Sequence, residues 1–318
     1  MIMSRKTHTG GVLSLIVLSY AALYIIWGST YLFIKFAVQS IPPLYVVSIR
    51  FFCGGLFFLL FSLVTGRIRR LPTLREILTS FLLGTLLLLG GNGLVTIAER
   101  SVDSYLAALI ISTTPVVVGL FDWLLFRKKL SLFKGVGVLT GVAGVALLLS
   151  DGRTLHIEIS PGIMMVVAGL VSWALATSLG HHLKTYPDSF VNSGLQMTFV
   201  GAIGLGWLSG TRPPDAALVQ SITAVSFGGL LYLTVFGSLA FCAYTYLIRH
   251  EPAIRVVSYA FVNPLIAILL GILAAAEPVK PMLFPATFMI LAGLSAMLYG
   301  DRLAGIVAGA VRAGRTAR

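Results

Sequence analysis

Ten stretches of about twenty apolar residues follow one another from one end of this 318-residue chain to the other. No other feature constrains the fold as strongly. A run of that length crosses roughly 30 Å of hydrocarbon as a helix, which satisfies its own backbone donors and acceptors where water cannot. The stretches lie near 12–38, 44–65, 76–98, 104–126, 132–150, 161–183, 189–208, 223–248, 255–276 and 282–300. Charged residues make up 11% of the chain, less than half the roughly 25% of a soluble domain. The expected class is an all-α polytopic membrane protein with ten transmembrane helices. The first stretch follows a basic start, as a signal peptide does, but it outruns an h-region and is expected to remain as a span.

The loops give an orientation. Of the 23 Lys and Arg, 17 fall on the termini and the loops of the same side, 4 on the opposite loops, and Lys35 and Arg50 inside spans. Positive charge collects on cytoplasmic loops, so both termini are expected in the cytoplasm. The same rule accounts for the net charge of +12, and no run of five like charges points to nucleic acid. Cys53 and Cys242 sit in apolar segments without a paired spacing, so neither a disulfide framework nor a metal site is expected.

The two halves of the chain echo each other. An offset of 146 residues pairs Trp27 with Trp173, Lys35 with His181 and Arg50 with Gln196. An offset of 149 aligns "STTPVVVGL" with "FVNPLIAIL" and so Pro115 with Pro264. Five spans per half is an odd number, so the second half would run through the membrane inverted. Inverted repeats characterise secondary transporters, whose substrate site lies near the midplane between them.

The segments "YIIWGSTYLFIKFAVQSIPPLYVVSIRFF", "GNGLVTIAERSVDSYLAALIISTTPVV" and "YLIRHEPAIRVVSYAFVNPLIAILLG" resemble the drug/metabolite transporter superfamily. Within it they are closest to the EamA family and its YedA-like bacterial inner-membrane exporters. The resemblance covers residues 15–300. It implies two five-helix EamA repeats at 12–150 and 161–300 around a central cavity, and a basic cytoplasmic tail at 301–318. It also implies export of small metabolites, amino-acid-like compounds or drugs, and no bound cofactor. One departure is visible: family repeats often carry an acidic residue after the fourth helix, as at Glu277, where the first half has Lys128.

The polar residues inside the spans are the candidate site. Trp27 and Thr30 share a helical face, with Tyr31 flanking it and Ser29 turned toward another helix. Asn92 and Thr96 lie one turn apart, as do Tyr259 and Asn263. Pro115 and Pro264 each free a carbonyl that a hydroxyl or amide must satisfy, and Thr113, Thr114 and Asn263 are at hand. Trp173, Thr177, Gln196 and Tyr244 complete the expected cavity lining on the other half. Tyr24, Tyr45, Tyr232 and Tyr299 read as interfacial aromatics. Among the charges, Lys35 either snorkels to the interface or faces the cavity. Arg50 lies about 9 Å below the outer surface, counting about 1.5 Å per residue, with Glu99 or Asp103 as its expected partner. Asp122 is expected to pair with Arg127 or Lys128, or else to carry a coupling proton. Glu99 is the other candidate for proton coupling, and His181 either titrates near neutrality or simply packs.

No HExxH, strand-borne GxSxG or Walker A sequence occurs, so an enzyme is not expected. The reading is a transporter that exports small organic molecules across the bacterial cytoplasmic membrane by alternating access. Uptake or exchange of an anionic or nucleotide-linked metabolite, and a membrane scaffold or receptor that moves nothing, stand as alternatives.

Overall fold

The computed structural model describes residues 10–127, 132–149, 159–180, 182–251, 256, 259–279, 281–296 and 299–300. Among them every regular element is helical. In chain order these are α1 (Leu13–Ala37), α2 (Pro43–Val64), α3 (Leu74–Ala98), α4 (Ser104–Phe126) and α5 (Leu132–Leu149). They continue as α6 (Pro161–Gly180), α7 (Ser189–Thr211), α8 (Ala224–His250), α9 (Tyr259–Ala275) and α10 (Leu283–Ala296). A short turn of helix at Ala216–Ser221 precedes α8. Six of them, α1 to α4, α6 and α8, are long and apolar enough to cross a membrane. The tail at 301–318, Lys128 and His181 lie outside the described residues.

Local chemistry sets the helix starts. Thr73 and Glu76 form a capping box at the head of α3, each side chain bonding the other's backbone N–H. Asp188 caps α7 by accepting from Phe190 and Val191, and Thr223 caps α8 by accepting from Ser226. Asp103 stands at the cap position of α4 but makes no such bond, and the role passes to a residue far along the chain. Three helices carry π turns, at Ala22–Trp27 in α1, Thr85–Gly93 in α3 and Leu233–Gly237 in α8. A π turn widens the helix and re-aims its backbone carbonyls, and such turns concentrate at functional sites.

Packing is made largely between the two sequence halves. Helix α2 lies along α7, α3 and α4 against α6, and α1 against α8 and α9. Small residues permit this. A Cβ on Gly201 would fall 2.2 Å from the Phe52 backbone nitrogen, and one on Gly55 would fall 2.4 Å from that of Thr198. Gly293 meets the backbone of Gly141 in the same way, joining α10 to α5. Close backbone approach through small residues holds helices together where lipid removes the hydrophobic drive for association. Gly201→Ala is accordingly expected to destabilise the protein by about 1–3 kcal/mol, the cost of overpacking against a neighbour that cannot yield. A lowered thermal midpoint in detergent would register it, and an unchanged midpoint would count against this contact.

Large apolar side chains such as Phe57, Leu60, Trp207, Phe227, Phe284 and Phe288 stay exposed on the outside of the bundle. Hydroxyls, amides and charges, including Ser29, Thr30, Arg50, Thr96, Glu99 and Gln196, are buried inside. That is the distribution of a protein whose surroundings are lipid. Among the described residues, two non-glycine residues take left-handed backbone angles: Arg127, which ends α4 at φ 52°, and Ala276, which follows α9 at φ 49°.

Candidate functional site

An aromatic cluster occupies the centre. The Trp27 ring lies 5.3 Å from Trp173, 5.2 Å from Tyr244 and 5.3 Å from Tyr259, with edge-on or tilted geometry throughout. Trp173 and Tyr244 also meet each other at 5.3 Å. The four rings come from α1, α6, α8 and α9. Trp27 is the last residue of the π turn in α1, and Asn263 on α9 faces that turn. With its amide nitrogen toward α1, the orientation its hydrogen bonds require, Asn263 donates to the carbonyls of Leu23 and Tyr24 at 3.1 and 3.3 Å. Asn263 thus serves α1, and not its own helix as the sequence spacing implied.

Two cavities flank the cluster. One is lined by Trp27, Thr30, Tyr31, Asn92, Trp173, Tyr259 and Asn263, together with Ile34, Gly91, Val95, Ile111 and Gly169. The other is lined by Thr177, Gln196 and Tyr244, with Asn192, Thr245 and Arg249 among its polar members. Ten of the expected cavity residues are therefore divided between two chambers. The remaining four, Thr96, Thr114, Pro115 and Pro264, lie on neither wall. Thr114 donates to the Ile111 carbonyl at 2.5 Å, the acceptor that Pro115 frees four residues earlier. The hydroxyls of Thr30 and Thr177 bond back to the carbonyls of Trp27 and Trp173 at 2.6 and 2.8 Å. Thr177 also shares a 2.9 Å bond with the Tyr244 hydroxyl. Those bonds leave the rings as the dominant chemistry between the chambers.

The first chamber ends at a charged layer. Arg50, 4% exposed, donates from one terminal nitrogen to Asn92 Oδ1 and Thr96 Oγ1, both at 3.3 Å. Among the described residues it forms no ion pair with Glu99 or Asp103, which corrects the partner expected from sequence. Its guanidinium also stands 4.4 Å from the Phe51 ring centre. Lys35 donates to the Val102 carbonyl at 3.1 Å, which holds it across α1 and the start of the α3–α4 loop. Glu99 is wholly buried, and neither carboxylate oxygen has a hydrogen-bond partner among the described residues. Burial raises its pKa well above the ordinary carboxylate value; Lys35 and Arg50 pull it down and Glu277 pushes it up.

Asp122 accepts from the Ser178 hydroxyl of α6 at 2.6 Å, an interhelical bond; Lys128, one of its two expected partners, lies outside the described residues. Ser29 behaves as its position in the turn implied, meeting the Tyr232 hydroxyl of α8 at 2.7 Å. Tyr232 stacks on Phe33 at 3.7 Å, so it belongs to the α1–α8 contact as well as to any interface. Sequence reasoning missed Asn192, Thr245 and Arg249. The first two are small polar residues in apolar helices, the same signal that marked Asn92 and Thr96. No group of His, Cys, Asp and Glu among the described residues could hold a metal ion.

A model of the EamA-like transporter family matches residues 14–150 and again 160–299. The chain is 37% identical to the uncharacterized inner membrane transporter YedA of Escherichia coli K12, over 79% of each protein. It is 32% identical to the uncharacterized transporter YvbV of Bacillus subtilis, over 86% of each. A crystal structure of a protein 18% identical in sequence superposes with a TM-score of 0.64, covering 92% of this chain and 99% of that one. That likeness speaks to the fold alone.

Proposed function

The chain belongs to the EamA-like transporter family, and on that premise we propose that it exports a small organic molecule of no net charge across the bacterial cytoplasmic membrane. The molecule passes the aromatic layer by alternating access, entering from one chamber and leaving from the other. Ten helices would cross the membrane, as two inverted five-helix repeats with both termini in the cytoplasm.

Several observations support the inverted arrangement. The family match occurs twice, once per half. Helix contacts keep their pattern when the halves are exchanged: α1 on α8 and α9 becomes α6 on α3 and α4, while α2–α7 and α5–α10 map onto themselves. The chamber walls obey the same exchange. Thr30, Tyr31 and Ile34 line the first, and Ala176, Thr177 and Gly180, each 146 positions later, line the second. Gly91, Asn92 and Val95 correspond, at the different offset of 153 positions, to Tyr244, Thr245 and Ile248.

The observation that carries the substrate class is the aromatic cluster between chambers. Rings present apolar faces and edges that stack on or slide past an organic body, and Asn92 and Asn263 add neutral hydrogen-bonding groups. Among the described residues no charged side chain lines the first chamber: Lys35 and Arg50 are turned onto Val102, Asn92 and Thr96. That disposition favours amino-acid-like zwitterions or neutral drugs over phosphorylated or nucleotide-linked cargo.

Comparing the metabolites in the medium of cells with and without the protein tests the proposal. One or a few neutral or zwitterionic compounds should accumulate outside expressing cells. Accumulation of anions alone would favour the nucleotide-linked alternative. An unchanged medium across a broad panel, including amino acids and drugs loaded into the cells, would favour a scaffold or receptor.

A further inference from the structure

Glu99 is the one buried charge-bearing group at the site that neither the fold nor the proposed substrate contacts account for. It caps the C-terminal end of α3, where the helix dipole disfavours an anion. Asn92, Val95 and Glu99 fall at i, i+3 and i+7, so the carboxylate continues the face of α3 that lines the first chamber. The titratable and charged groups that act on it are Lys35 and Tyr31 of α1, Arg50 of α2, and Glu277 beyond α9. Each of the other three charges is already engaged. Lys35 donates to Val102, Arg50 to Asn92 and Thr96, and Glu277 accepts from Ser104 and Tyr105. Glu99 alone has no hydrogen-bond partner among the described residues.

A wholly buried carboxylate without donors is costly when ionised and far less so when protonated. With Glu99 ionised, its most favourable partner would be Arg50, which would have to leave Asn92. With Glu99 neutral, Arg50 rests on Asn92 and Thr96 as it does here. We propose that Glu99 binds a coupling proton and that Arg50 moves between Glu99 and Asn92 as that proton leaves and returns. This rests on the transport reading above.

The exchange follows from the geometry. When the first chamber faces outward, Glu99 takes a proton from external water, and Arg50 occupies the amide that substrate would use. When the site faces the cytoplasm, the proton passes to water there. The carboxylate then draws Arg50 away, and Asn92 becomes available to substrate. Proton and substrate occupy the site in turn, so the proton gradient drives export. The sequence counterparts of Lys35 and Arg50 in the other half are His181 and Gln196, so the two halves differ in charge at these positions.

The tryptophans report on it directly. Of the four, Trp123 and Trp207 are exposed and can be replaced by Phe, leaving emission from Trp27 and Trp173 beside the chamber. In the purified full chain this emission should titrate with pH, above the ordinary carboxylate range. Glu99→Gln should abolish the transition and Glu99→Asp should retain it at a displaced pH, which keeps the test decisive should Glu99→Gln fold poorly. Thermal stability gives the same information. The folded chain holds this proton where the unfolded chain has lost it. Stability therefore falls as pH rises from the ordinary carboxylate value through the raised one, and Glu99→Gln removes that slope. In cells, export by the parent protein should fall in alkaline medium, whereas any export left in Glu99→Gln should be indifferent to pH. A pH transition unchanged in Glu99→Gln, or absent from the parent protein, would overturn the proposal. A titrating Glu99 in a protein that exports nothing would instead overturn the transport reading and the coupling role with it.

Discussion

Trp27→Ala is expected to abolish export and to lower stability at the same time. Trp27 packs its ring against all three of the others in the central cluster. Each aromatic pair contributes about 0.5–1.5 kcal/mol beyond area burial, so the three contacts together hold α1 against α6, α8 and α9. Truncating a buried Trp to Ala costs about 3–5 kcal/mol, and since Trp27 is only partly buried the loss should fall near the lower end of that range. The consequence for transport is larger. Removing the indole opens the layer between the chambers, and a pathway joined through its middle cannot expose the site to one side at a time. Export should therefore fall by more than about tenfold, the factor that some 1.4 kcal/mol of lost discrimination already produces. Trp27→Phe keeps a ring in place and should retain most of both properties. Thermal melting with metabolite release from expressing cells checks the pair, and full export by Trp27→Ala would remove the cluster from the transport path.

Glu277→Ala should have the second-largest effect, through a different mechanism. This carboxylate, 6% exposed, accepts from the Ser104 backbone N–H at 2.8 Å, the Ser104 hydroxyl at 2.9 Å and the Tyr105 N–H at 3.4 Å. It supplies from the second half of the chain the cap that Asp103 does not give α4. The backbone is bent to permit this. Ala276 takes a left-handed angle, and the Glu277 N–H returns to the Gly271 carbonyl at 3.1 Å. A Cβ on Gly271 would fall 2.4 Å from the carboxylate, which explains why glycine stands there. Leaving buried donors unpaired costs about 1–3 kcal/mol each, so Glu277→Ala should destabilise by several kcal/mol. Glu277→Gln keeps an acceptor oxygen and should cost less. The same bonds tie α9 to the head of α4, so the alanine variant should also loosen that end of the bundle. A raised reactivity of a cysteine placed at Asp103 toward an impermeant thiol reagent would report that. An unchanged melting temperature in Glu277→Ala would show that the cap does not hold the halves together.

Much of this was legible in the sequence because lipid imposes simple rules. The apolar stretches say where helices fall, and the pairing of Trp27 with Trp173 points to the ring cluster. Thr114 was predictable as well, since a proline in a buried helix must leave one carbonyl to a nearby hydroxyl. What stayed hidden depends on contacts between distant segments. Arg50 had two acidic neighbours on paper, yet it bonds Asn92 and Thr96 on the face of α3. Glu277 looked like a family mark at a helix end; only the fold brings it to Ser104, 173 residues away. The division of the lining into two chambers was equally invisible. Spacing along a helix says which residues share a face, not that Tyr244 lines one chamber while Trp27, its neighbour in the cluster, lines the other.

The measurement closest to the central claim is release of compounds from liposomes that contain the purified chain. The lumen would carry the compounds that expressing cells excrete, and Trp27→Ala would serve as the paired control. Release by the parent protein, and uncontrolled leak or none from the variant, is the predicted result. Retention of every compound by the parent protein, or equal saturable release by both, would contradict an aromatic layer that is crossed by alternating access.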